Sequence, residues 1–99
     1  MPINMTRDEY EASHALMALH FPDPPNKSDL DTAFRAIAFN ISGGGEIVAL
    51  RFVDGDGLHC DLVLDQAVSA ELVGHLAKSL HAMDWIDSAG NAMLDPARR

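Results

Sequence analysis

EIVALRFVDGDGLHCDLVLD, residues 46–65, decides the fold. Two runs rich in Val, Leu, Ile and Phe flank Asp54-Gly55-Asp56-Gly57, residue types that tolerate positive φ, so the stretch predicts a β-hairpin. With an even number of loop residues, Ile47, Ala49, Arg51 and Val53 share a face with Leu58, Cys60, Leu62 and Leu64. Val48, Leu50 and Phe52 then share the other with His59, Asp61 and Val63. The first is the expected core face, with Arg51 at its rim; the second is only half polar and still carries Val48, Leu50 and Phe52 on its first strand.

Downstream, SAELVGHLAKSLHAM (69–83) has the period of an amphipathic helix. Leu72, Val73, Leu76, Ala77, Leu80 and Met83 form one stripe, Ser69 is the expected N-cap, and Val68 with Val73 the expected staple. Upstream, FNIS, GGGE and IVALRFV read as strand, turn and strand. Residues 29–42 admit two readings, because Leu30, Phe34, Ile37 and Ile41 recur as on a helix while Ile37, Phe39 and Ile41 alternate as on a strand. Phe39 would leave a helical stripe, which favours a strand at about 34–42 with a helical turn possible ahead of it. PDPPNKS (22–28) reads as a stiff extended connector, since proline fixes φ and biases the residue before it away from helix.

The N-terminal element is well punctuated. Thr6-Arg7-Asp8-Glu9 has capping-box spacing, and the helix is expected to run to about His20, with Pro22 beyond it. It carries two apolar stripes, one of Ala12, Ala15, Leu16 and Leu19 and one of Tyr10, His14, Met17 and Phe21. The fold expected is therefore α+β, in the order helix, Pro-rich linker, three-stranded antiparallel meander, helix, with the last helix on the sheet. One domain over 1–99 suits the length, with 1–5 and 88–99 expected to fray.

Seven basic against fifteen acidic residues give a formal charge of −8, which argues against a nucleic-acid or anionic membrane surface. No apolar run reaches the roughly 20 residues that span a bilayer, and MPINMTRDEYE lacks the blocks of a secretion signal, so a cytoplasmic protein is expected. The lone Cys60 allows no internal disulfide and is expected to pack rather than react.

No catalytic, cofactor or metal motif emerges. Gly43-Gly44-Gly45 lacks the lysine and the strand-to-helix context of a phosphate loop. Asp54-x-Asp56 begins like a calcium loop, but Leu58 stands where an oxygen ligand belongs. On a strand, His59 and Asp61 face away from Cys60, so the three make no triad. His14 with His20 and His75 with His81 are six apart, not at the four-residue spacing that zinc sites use on helices. Asp54, Asp56, Asp61 and Asp65 crowd the hairpin, yet the other acids are spread evenly, as solubility requires.

The IVALRFVDGDG, LVLD and SAELVGHLAKSL arrangement resembles small hairpin-helix proteins common in bacteria, over less than half of the chain. The resemblance implies a fold and no activity. The function expected is that of a small acidic non-enzymatic protein of bacterial or phage type, acting through protein–protein interaction as a homodimer or on another protein. Its interface is expected at Tyr10, His14, Met17, Phe21, Val48, Leu50, Phe52, His59 and Asp61, where apolar area exceeds what one short chain covers. Neither a cofactor nor a small-molecule ligand is expected. Two alternatives share the size and charge: a phage-type inhibitor, anti-CRISPR-like or a nucleic-acid mimic, and a small enzyme or ligand-binding protein with a subunit-interface pocket near Arg51, His59 and Asp61.

Overall fold

The computed structural model describes residues 2–95; Met1 and residues 96–99, the outermost parts of the ends expected to fray, lie outside them. The order of elements is helix, short helix, three strands, helix: α1 (Arg7–Leu19), α2 (Lys27–Asp31), β1 (Ala38–Gly44), β2 (Ile47–Val53), β3 (His59–Asp65) and α3 (Gln66–Ala82). The strands form one antiparallel sheet in the order β1-β2-β3. The α-β-β-β-α plan read from the sequence is thus the observed one, with α2 added. The chain divides into two compact units, residues 1–67 and 68–99.

In the first unit, α1 starts where the sequence places it. The Thr6 side chain accepts a hydrogen bond from the Glu9 N–H at 3.1 Å, satisfying one of the donors a helix start leaves open. The helix ends at Leu19, and the His20 N–H is shared between the carbonyls of Leu16 and Met17. The expected connector is shorter than PDPPNKS, because Lys27 and Ser28 are helical. Their helix is capped by Asn26, whose side chain accepts from the Asp29 N–H at 3.0 Å while the Asp29 carboxylate accepts from the Asn26 N–H at 3.0 Å. This reciprocal box nucleates α2. The first strand begins at Ala38 and runs through Gly43 and Gly44, so it starts later and ends later than the 34–42 expected.

The two hairpin turns fix the register. Gly45 and Glu46 join β1 to β2, and Gly45 has φ +64°, the glycine-favouring conformation that a type II′ turn requires at its first central residue. Between β2 and β3 the Asp54 carbonyl accepts from the Gly57 N–H at 3.2 Å, and the Asp54 N–H donates to the Leu58 carbonyl at 2.9 Å. Gly57 lies at φ +86°. This is the three-residue loop in which a type I turn is followed by a left-handed glycine. Asp54 Oδ1 holds it, accepting from the Asp56 and Leu58 N–H groups at 2.9 and 3.0 Å.

Three is an odd number, and that overturns the even-loop partition of faces. Leu50 pairs with Leu62, Phe52 with Cys60 and Val48 with Leu64, whereas Arg51 pairs with Asp61, Val53 with His59 and Ala49 with Val63. A shift of one residue moves a whole strand's side chains to the other face. Arg51 accordingly stands in the middle of the polar face, not at the rim of the core.

The helix that follows begins at Gln66, immediately after β3, so Ser69 lies inside it and is not its N-cap. Asp65 occupies the position before it, where a carboxylate suits the helix dipole. Beyond α3, the Asp87 N–H donates to the Asn91 carbonyl and the Gly90 N–H to the Asp87 carbonyl, at 2.9 and 3.0 Å. Asp87 Oδ1 accepts from the Ala89 and Asn91 N–H groups, both at 2.9 Å. The Asp54 turn therefore recurs at Asp87, closing an Ile86–Ala92 bridge. These backbone donors hold the Asp87 carboxyl below the usual carboxylate range, the Asn91 amide first among them.

Candidate functional site

The register gathers eight apolar side chains on one face of the sheet: Phe39 and Ile41 from β1, Val48, Leu50 and Phe52 from β2, and Cys60, Leu62 and Leu64 from β3. Phe39 and Phe52 are directly opposite, with ring centroids 6.4 Å apart and planes tilted by 40°, within the range of favourable aromatic pairs. Phe39 is 66% exposed and Ile41 57%; Leu62 is also exposed, and the remaining five are half-buried. Among the described residues only Ala67 is fully buried. A chain of this length ordinarily hides a contiguous core, whereas this sheet leaves its apolar face largely open.

The opposite face is chemically distinct. Arg51 and Asp61 form a two-pronged ion pair, Nε to Oδ1 and Nη2 to Oδ2, each at 2.7 Å. The His59 Nδ1 lies 3.6 Å from the same Oδ1. The pairing holds the Asp61 carboxyl below its ordinary range, chiefly through the Arg51 hydrogen bond, and raises the Arg51 guanidinium through the same bond. Asn40, Ser42, Ala49 and Val63 line an open groove of about 270 Å³ with Arg51 and Asp61, and His59 lies outside its lining.

The Arg51–Asp61 pair gives a pH prediction. A lowered carboxylate pKa contributes stability that is present above the unfolded-state pKa and lost as pH falls through the folded-state one. Arg51→Ala is expected to return the Asp61 titration, followed by carboxyl ¹³C shifts, toward the ordinary aspartate range. An unchanged midpoint would remove Arg51 as the cause.

The structure separates the expected interface residues into three groups. Val48, Leu50 and Phe52 lie together on the apolar face. His59 and Asp61 lie on the opposite one, beside Arg51, so these five do not form one surface. On α1, Tyr10, His14 and Met17 are half-buried, with the Tyr10 and His14 rings 4.6 Å apart, while Phe21, beyond the end of the helix, is 79% exposed. Leu16 and Leu19 are exposed, which makes theirs the freer stripe of that helix. The sequence reading missed Phe39, Ile41, Cys60, Leu62 and Leu64 as members of the open face. The spacing of Asp54 and Gly57, three apart at the loop, is the signal that would have found the three on β3, and the two-residue turn at Gly45 and Glu46 places the two on β1.

Among the described residues no cluster of three His, Cys, Asp or Glu side chains could hold a metal ion, and no helix is long and apolar enough to cross a membrane. Compared with protein-family models, curated proteins and solved structures, the chain has no match.

Proposed function

We propose that this is a small acidic, non-enzymatic protein of bacterial or phage type that is a homodimer and works by protein–protein contact, with the apolar face of its sheet meeting a further protein. The observation that carries the reading is the sorting of Phe39, Ile41, Val48, Leu50, Phe52, Cys60, Leu62 and Leu64 onto one wholly apolar face, against a mixed face where Asn40, Ser42, Arg51, His59, Asp61 and Asp65 stand beside Ile47, Ala49, Val53 and Val63. That arrangement costs solvation free energy unless another surface covers it, at about 25 cal/mol for each Å² left in water. A cytoplasmic setting goes with this reading, because Cys60 has no second cysteine in the chain to pair with.

The pocket alternative has the Arg51, His59 and Asp61 constellation in its favour. Its two strongest groups satisfy each other, however, in a groove that is open and smaller than the roughly 300 Å³ from which small-molecule sites begin.

Adjacent residues of β3 make the test. A photo-crosslinking side chain at position 62 points to the apolar face, and one at position 63 to the opposite face. In the native cell, discrete heavier adducts are expected from position 62 and not from position 63. Equal yields from both, or adducts from 63 alone, would remove the face from the proposal.

A further inference from the structure

The sheet has two free edges, and they differ. The two-residue turn makes Gly44 and Ile47 a hydrogen-bonded pair, so Ser42 with Ala49 and Asn40 with Arg51 also exchange backbone bonds. Phe39, Ile41 and Gly43 therefore turn their N–H and C=O groups outward. The Ile41 N–H meets only its neighbour's side chain there, donating to Asn40 Oδ1 at 2.9 Å. All seven residues of β1 are exposed, and the strand contains neither charge nor proline. On β3, the Asp54–Leu58 pair sets the opposite phase, and the outward residues are His59, Asp61, Val63 and Asp65. Charged edge residues discourage strand addition; β1 has none of them.

We propose that two copies of this chain pair β1 to β1, antiparallel, about a two-fold axis at Ile41, forming one six-stranded sheet. This deepens the homodimer part of the proposed function and is independent of what the apolar face binds. The sequence of β1 is complementary to itself in that register. Phe39 falls opposite Gly43 of the second copy and Ile41 opposite Ile41, all three with outward backbone groups that can bond across the axis. On the other face Asn40 falls opposite Ser42, so polar side chains meet and Asn40 exchanges its local bond for a cross-strand one. The ring of Phe39 covers a glycine beside which a Cβ would meet nothing closer than an ordinary 3.7 Å contact.

Charge and symmetry select this occupant. Chains of net charge −8 repel, and β1 is a strand on which two copies meet without opposing carboxylates. Pairing β1 with β3 of another copy would be head-to-tail and non-closing, whereas β1 with β1 closes as a dimer. Area points the same way. Three seven-residue strands present a plane of roughly 330 Å². Two joined edge to edge present about twice that in one continuous apolar face, approaching the ~800 Å² per side of a standard protein interface.

The test uses the whole chain in a Cys60→Ser background. Ile41→Cys is expected to give a covalent dimer under mild oxidation, because directly opposed Cα atoms lie about 5.5 Å apart in a hydrogen-bonded pair. Asn40→Cys, offset from its own copy by two residues, is expected to stay uncrosslinked. By light scattering, the unsubstituted chain is expected at twice its 10.7 kDa mass. Ile41→Pro, which removes an N–H that its own ladder does not use, is expected at the single mass with an unchanged circular dichroism spectrum. Ile41→Lys, which opposes two ammonium groups across the axis, replaces it if the proline variant fails to fold. A monomeric unsubstituted chain overturns both the pairing and the homodimer. A dimer that survives Ile41→Pro and Ile41→Lys, or that crosslinks equally from positions 40 and 41, overturns the pairing alone. Photo-crosslinking from position 62 reads the face independently of either result.

Discussion

Leu50→Asp is expected to abolish the adhesive character of the sheet while leaving its fold and its dimer mass in place. Leu50 is at the centre of the middle strand, opposite Ile41 on one side and Leu62 on the other. Burying a leucine side chain against a partner contributes about 1.5–3 kcal/mol. A carboxylate there loses that and must be desolvated without a counter-charge, a further penalty of at least ~2 kcal/mol. Together these exceed about 3 kcal/mol, or a loss of affinity of more than about 100-fold. Two readouts check it: the fluorescence of the neutral dye Nile red, and the adduct from a crosslinker at position 62. Both are expected to fall to background. Val63→Asp makes the same change of charge on the opposite face, at a residue 67% exposed, and is expected to leave both unchanged. A Leu50→Asp variant that retains dye and adduct would rule out the face as the binding surface.

Gly57→Val is expected to destabilise the sheet by straining the turn between β2 and β3. Gly57 has φ +86°, and a Cβ at this position would meet nothing within 4 Å, so the cost is purely conformational. Forcing an L residue into the left-handed region costs roughly 1–2 kcal/mol, and a β-branched one lies at the upper end. The midpoint of urea unfolding is expected to fall, as the folding constant drops by about 10-fold for each 1.4 kcal/mol lost. Gly57→Asn, whose side chain tolerates this conformation, is expected to recover most of the loss. Equal stability for Gly57→Val and the parent would contradict the three-residue loop.

That loop marks where the sequence was legible and where it was not. The hairpin, the meander and α1 with its Thr6 cap follow from period and capping chemistry, which are local. The faces depend on loop parity, and Asp54-Gly55-Asp56-Gly57 supports either parity until the left-handed residue is identified. The same pattern, Asp followed three residues later by Gly, occurs at Asp87-Ser88-Ala89-Gly90, where fraying was expected from residue 88 on and a hydrogen-bonded turn stands. The start of α3 was missed because Val68 continues the apolar run of β3 and Ser69 is an attractive cap, although Gln66 and Ala67 are already helical. The box at Asn26 and Asp29 was hidden by the prolines before it. For the candidate site, Val48, Leu50 and Phe52 were found from the alternation of the strand. Their true neighbours Ile41, Leu62 and Leu64 required the register.

Because the apolar face exists only in this register, a direct reading of the register is decisive. In a methyl-resolved nuclear Overhauser spectrum, the Leu50 methyls are predicted to show strong cross-peaks to the methyls of Ile41 and Leu62, and none to those of Val63. Strong Leu50–Val63 cross-peaks in place of Leu50–Leu62 would mean an even loop with a mixed face, and would contradict the single apolar surface on which the proposed function rests.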